Sequence, residues 1–188
     1  MRHSDRLSSP AFKQFTKGYS QTLLARLSTA REAVVWAWQG ADNIVSALLE
    51  VRGVSFNKKS HKDKWEKFVS AYPEFLRRAP PDQIERCRKM WEDARYRDRE
   101  ISAEDAGQVT SLATEVFEFG IRVLEQLWGI SARKLRQGAS DASERELAVV
   151  AVKEVEDYLR ACEANAEQEA IRWGFAPYTT MLGDPATY

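Results

Sequence analysis

The sequence predicts an all-α protein, and three observations predict it. Helix-start signatures recur along the chain, strand signals are nearly absent, and the stretch from Ala33 to Val51 is apolar on most sides of a helix. The start signatures are Thr29 with Glu32, Ser60 with Asp63, Ser102 with Asp105 and Asp141 with Glu144. In each, a short polar residue accepts from an otherwise free N–H of the first turn, and an acidic residue three positions on reaches back to it. At 188 residues the chain suffices for one domain with a sizeable core and an appendage.

Taken in order, a first helix is predicted over 11–27 and a second over 30–51, opened by Thr29. On the second, the polar residues Gln39, Asp42, Asn43, Ser46 and Glu50 form one narrow stripe. A helix apolar nearly all round is buried from several directions. Trp36 and Trp38 lie roughly 200° apart on it, so they face different neighbours. The helix is therefore central to the bundle, or one of these tryptophans meets a second subunit. Further helices are predicted over 60–71, over 81–95 with Pro81 in the first turn, and over 102–128, with a short helical stretch at 131–137.

The last helix, 141–171, has an apolar face of Leu147, Val150, Val155, Tyr158, Leu159 and Cys162 and is otherwise acid-rich. Beyond it, IRWGFAPYTTMLGDPATY carries Trp173, Phe175, Tyr178 and Met181 among turn formers. So many aromatics predict a tail docked in a groove, of its own subunit or of another molecule. The chain thus divides into a helical bundle at 1–138 and an acidic C-terminal helix with a docking tail at 139–188. Trp36, Trp38, Trp173, Phe175 and Tyr178 are the candidate partner-docking residues.

Lysine plus arginine number 28, as do aspartate plus glutamate, so no global field draws the chain to nucleic acid or membrane. Cys87 and Cys162 stand alone and read as free thiols of a reducing compartment. The first residues, MRHSDRLSSPAF, contain no apolar signal core, and no run is long enough to span a bilayer. The expected location is cytoplasmic, without membrane association.

Two segments concentrate charge. In RGVSFNKKSHKDKWEKF, residues 52–68, Arg52, Lys58, Lys59, Lys62, Lys64 and Lys67 outweigh Asp63 and Glu66, with Phe56 and Trp65 interleaved. That mixture suits a nucleic-acid backbone, and the plainer alternative is a solvated lysine-rich face. His61 within it is either a general base or a residue that caps or orients its helix. The second segment, WEDARYRDRE, sets Arg95, Tyr96, Arg97 and Arg99 among Glu92, Asp93, Asp98 and Glu100. Arg95 and Arg97 are candidate phosphate contacts. The default is a self-paired elbow with Tyr96 tucked into the bundle. No glycine-rich phosphate loop and no metal-ligand spacing occur, and nothing calls for a cofactor.

The order of these features resembles the HEPN-domain family over about 20–128. The resemblance lies in an alanine-rich helix ending in Ala47-Leu48-Leu49 with Gly53, then a loop to His61, and later an Ala94-Arg95-Tyr96 turn before the Ser102 helix start. It implies an up-and-down bundle of four or five helices, commonly a homodimer. It also implies a place among prokaryotic toxin–antitoxin or defence proteins. Many members are RNases that use an arginine, a spacer of four to six residues and a histidine. Here Arg95 is followed at those offsets by Glu100, Ile101 and Ser102, and Arg97 by Ser102, Ala103 and Glu104.

RNA cleavage needs a group that takes and gives a proton near neutrality, which arginine does not do. The expectation is therefore a non-catalytic HEPN-like protein that binds a protein or RNA partner. One alternative is a divergent, metal-independent endoribonuclease with Arg95 or Arg97 holding phosphate and His61 as base. Another is an assembly adaptor that docks through its C-terminal helix and tail.

Overall fold

A computed structural model describes residues 3–145 together with 147, 148, 160 and 164. The chain divides into two compact units, Met1–Leu147 and Ala148–Tyr188, and the elements below belong to the first. Trp173, Phe175, Tyr178 and Cys162, and most of the apolar face assigned to the last helix, lie outside the described residues.

The helices are α1 (His3–Leu7), α2 (Pro10–Ala25), α3 (Ala30–Arg52), α4 (His61–Ala71), a 3-10 turn (Pro73–Arg77), α5 (Pro81–Tyr96) and α6 (Ala103–Trp128). A further helix, α7, begins at 132 and is described to 145. Every regular element among the described residues is helical, and the all-α expectation holds. None of these helices is long and apolar enough to cross a membrane.

Two of the start signatures act as read and a third in half, because the Asp63 carboxylate accepts from the Asn57 N–H at 2.7 Å rather than from Ser60. Thr29 and Ser102 head reciprocal capping boxes with Glu32 and Asp105, and Ser60 Oγ accepts from the Asp63 N–H at 3.2 Å. Two starts differ from the reading. α2 begins at Pro10 because Ser9 caps it, accepting from the Phe12 N–H at 3.2 Å. Asp141 starts nothing, being internal to α7. That helix begins nine residues earlier because Glu125, on the preceding helix, accepts from the Ala132 N–H at 2.8 Å. Ser20 on α2 then donates to Ser143 on α7 at 3.0 Å, in a buried contact.

α3 is the central helix. It packs against α2, α4, α5 and α6, and Val34, Ile44, Val45, Leu48 and Leu49 on it are fully buried. The tightest crossing is with α2, where Gly18 and Gly40 face each other. A Cβ on Gly18 would stand 2.6 Å from the Gly40 carbonyl oxygen, and one on Gly40 would stand 2.7 Å from that of Gly18. Backbone thus meets backbone, which only glycine allows. Trp38 is fully buried, so it is corrected from a partner-docking residue to a core residue; Trp36 is half-buried against the same core. Two residues of the polar stripe, Asp42 and Ser46, are buried as well.

Candidate functional site

The first turn of α4 lies over the middle of α3 and brings three charged or titratable groups together. Asp42 is 6% exposed and Lys64 5%. The Lys64 ammonium donates to Asp42 Oδ2. His61 Nδ1 stands 3.0 Å from Asp42 Oδ1, yet neither atom has a partner in hydrogen-bond geometry. The contact is close but misaligned. Lys64 is thereby corrected from a phosphate contact to a buried ion-pair partner. It falls on the α4 face that carries Trp65 and Phe68, which points at α3. Nor does His61 cap its helix, since the Ser60 hydroxyl performs that role.

Indole rings surround the charges. Trp38 lies between Trp65, 5.2 Å away at an interplanar angle of 23°, and Trp91, 6.1 Å away at 28°. His61 sets its edge against Trp91 at 4.7 Å. Removing an ion pair from water is expensive unless every lone pair and proton finds a partner, and here they do not. Among the described residues, the buried side-chain atoms without a hydrogen-bond partner are Trp38 Nε1, Asp42 Oδ1, His61 Nδ1, Trp65 Nε1 and Trp91 Nε1. All belong to this cluster. Cores ordinarily satisfy such atoms, and a site that gathers the exceptions is a candidate for function.

The arginine elbow adjoins it. Asp93, buried at 6% exposure, accepts from Arg97 at 3.0 Å and from Arg99 at 2.8 Å. Those guanidiniums, Arg99 foremost, hold its carboxyl below the usual aspartate range. Arg31 on α3 donates to the carbonyls of Ala94, Arg97 and Arg99 at 2.7, 3.1 and 2.6 Å, which ties the turn to the central helix. The self-paired reading of the elbow therefore holds for Arg97 and Arg99. It fails for Tyr96, which is 68% exposed and touches Trp91 only by its edge, at 5.8 Å. Tyr96 is the last residue of α5, and most of its ring is left in solvent. No carboxylate among the described residues pairs with Arg95, whose guanidinium lies 5.8 Å from the Trp91 ring centre and 5.6 Å from that of Tyr96.

Trp91 is thus where the two charged segments of the sequence meet, His61 from one and Arg95 from the other. Arg97 is turned aside onto Asp93. Of the remaining basic candidates, Lys59 and Lys62 are exposed, Lys58 pairs with Glu50 at 2.9 Å, and Arg52 lies 4.7 Å over the Tyr72 ring. A cavity of about 170 Å³ beside the cluster is floored by Trp38, Trp65, Val69 and Ile84 and rimmed by Lys62, Glu66, Glu85 and Arg88.

Cys87 takes no part in this chemistry. It is buried, with its thiol pushed up to about 11 by desolvation, so it is neither ionised nor reachable near neutrality. Among the described residues no group of three His, Cys, Asp or Glu is placed to hold a metal ion.

Asp42, Lys64, Trp65, Trp91 and Asp93 were not singled out by the sequence as a cluster. The available signal was Asp42 itself: a carboxylate on a helix otherwise buried must find a cation. No family model, curated protein or solved structure matches the chain.

Proposed function

We propose that this chain is a HEPN-like helical-bundle protein that binds single-stranded RNA, without cleaving it, where the first turn of α4 meets the end of α5. The observation that carries the reading is the convergence of His61 and Arg95 on Trp91 beside the exposed ring of Tyr96. An exposed aromatic next to a cation free of carboxylates is the arrangement that holds a base by stacking and its phosphate by charge. Lys59 on the neighbouring turn extends the positive surface, and Lys62 adds to it only in part, because it pairs with Glu66 at 3.9 Å. The buried Asp42–Lys64 pair fixes the start of α4 on α3 and so holds His61 against Trp91. Cleavage requires an acid as well as a base, and among the described side chains His61 is the one histidine on this surface. The resemblance adds two further proposals, a homodimer and a place in a prokaryotic defence or toxin–antitoxin system. Analytical ultracentrifugation tests the first.

One observation favours a second reading, as an endoribonuclease. Asp42 Oδ1 stands 3.0 Å from His61 Nδ1, near enough to orient the imidazole for proton transfer once the ring turns into hydrogen-bond alignment. His61 would then take the proton of a 2′-hydroxyl as that oxygen attacks phosphorus. The 5′-oxygen would leave, taking a proton from solvent water, and the 2′,3′-cyclic phosphate so formed would stay in the grip of Arg95.

The test is a fluorescence-anisotropy and cleavage assay on a labelled mixed-sequence RNA. It compares the wild type with Tyr96→Ala, Arg95→Ala and His61→Ala. Binding at low salt that weakens about fivefold to a hundredfold in Tyr96→Ala, with the helical spectrum unchanged, is expected from the loss of one stacked base. Cleavage that disappears with His61→Ala would replace the first reading by the second. No binding at low salt would overturn both.

A further inference from the structure

We infer that the cleft between the 3-10 turn Pro73–Arg77 and the C-terminal half of α6 is a binding site for a phosphomonoester of a flat, apolar group. The inference does not depend on the RNA reading, because none of the residues involved belongs to that surface.

The sequence builds the cleft from both sides. In PEFLRR, Phe75 is fully buried and packs against Phe68 at 5.1 Å and Phe119 at 5.2 Å. Its carbonyl accepts from the N–H groups of Arg78 and Ala79 at 2.8 and 3.2 Å. The turn is therefore pinned, and the two arginines that follow Leu76 leave it from a fixed backbone. On α6, Glu115, Phe119, Arg122 and Gln126 are spaced by four, three and four residues and share one face. Arg78 bonds Glu115 at 2.6 Å and so joins the two walls. Between them lies a cavity of about 410 Å³ lined by Glu74, Arg77, Arg78, Phe119, Arg122, Val123 and Gln126.

Charge and size together name the ligand. Arg86, Arg88, Arg97, Arg99 and Arg136 each hold a carboxylate. Arg77 and Arg122 have none within reach among the described residues, and both are exposed. The lining thus sets three guanidiniums against one carboxylate, Glu74, and only Arg78 is already engaged. Two free planar forks flanking one space match a dianionic phosphate better than a single carboxylate. The space is several times larger than a bare phosphate needs, and its floor is Phe119 and Val123, both buried. Behind that floor the buried rings of Phe68, Tyr72 and Phe75 pack against Phe119, which holds it rigid beneath a flat group. The Gln126 amide adds a donor and an acceptor at the rim.

The test uses the full chain with phenyl phosphate as the probe, read by isothermal titration calorimetry and by the rise in Tm. Inorganic phosphate and phenol are titrated in parallel. Saturable binding of phenyl phosphate is expected, tighter than either control, and weakened about tenfold or more for each arginine removed in Arg77→Gln and Arg122→Gln. Both substitutions are at exposed positions, and an unchanged circular dichroism spectrum certifies the fold. Lack of saturable binding at millimolar phenyl phosphate would overturn the assignment, as would equal affinity in the double variant. Equal affinity for inorganic phosphate would remove the apolar half of the ligand and overturn it too. The double variant should bind RNA like the wild type. Loss of RNA binding would merge the arginines with the nucleic-acid surface and refute a separate site.

Discussion

The sharpest prediction concerns the buried ion pair. Asp42→Asn keeps the shape of the side chain and removes its charge, leaving the Lys64 ammonium, 5% exposed, without a counter-ion in an aromatic surround. Breaking one partner of such a pair costs about 3–5 kcal/mol. The low end applies here, because the amide that replaces the carboxylate still offers an oxygen to the ammonium. Lys64→Met leaves Asp42 facing only a misaligned imidazole and should cost a similar amount. The double variant removes both charges together. Since the pair repays little more than its own desolvation, its stability should fall within about 1–2 kcal/mol of wild type. With single costs of about 3 kcal/mol each and a double cost of about 1–2 kcal/mol, the cycle predicts a coupling of about 4–5 kcal/mol. The assay is urea unfolding followed by far-ultraviolet circular dichroism and extrapolated linearly to zero denaturant, a probe that the altered tryptophan surround does not disturb. In thermal melts each kcal/mol corresponds to about 2–4 °C for a chain of this size. Single costs that add to within about 0.5 kcal/mol in the double variant would refute the buried pair. A stable double variant that no longer binds RNA would show that the pair serves the site rather than the fold.

Three further outcomes are expected. Gly40→Ala should cost about 2–3 kcal/mol, because its methyl would stand 2.7 Å from a backbone oxygen that cannot move without separating α2 from α3. Gly107→Ala, in a helix with nothing within 4 Å of the added methyl, should instead gain about 0.5–1 kcal/mol. Thermal melts of the two variants decide both, and equal shifts would refute the close crossing. The Asp93 carboxyl is held below its ordinary value by Arg99 and Arg97. Its contribution is therefore present above the unfolded-state value and is lost as pH falls through the folded one. An acid titration of stability should show that loss below about pH 4 in the wild type and not in Asp93→Asn. In a Cys162→Ser background, Cys87 should resist a thiol reagent at about pH 8 and react once urea unfolds the chain, as its burial and raised pKa require. Immediate stoichiometric labelling of the folded protein would contradict its burial.

The sequence by itself determined α2 to α6 and the identity of the central helix, but not α1, the 3-10 turn or the course of α7. Thr29 with Glu32 and Ser102 with Asp105 are local hydrogen-bonding patterns, complete within four residues, and they form as local chemistry dictates, as does the Ser60 cap on the Asp63 N–H. The near-continuous apolar surface from Ala33 to Val51 likewise required burial from several sides, whatever the neighbours turned out to be. The tertiary structure decided the rest. Whether Asp141 opens a helix depended on Glu125, on another helix, supplying the cap earlier. Whether Lys64 met solvent or a carboxylate depended on which face of α4 was laid on α3. Whether His61 and Arg95 belonged to one surface depended on Trp91, thirty residues from the first and four from the second. A helix start is written in neighbouring residues. A site of this kind is written in the packing of α3, α4 and α5, where the cost of burying Asp42 is set by partners that only the fold brings within reach.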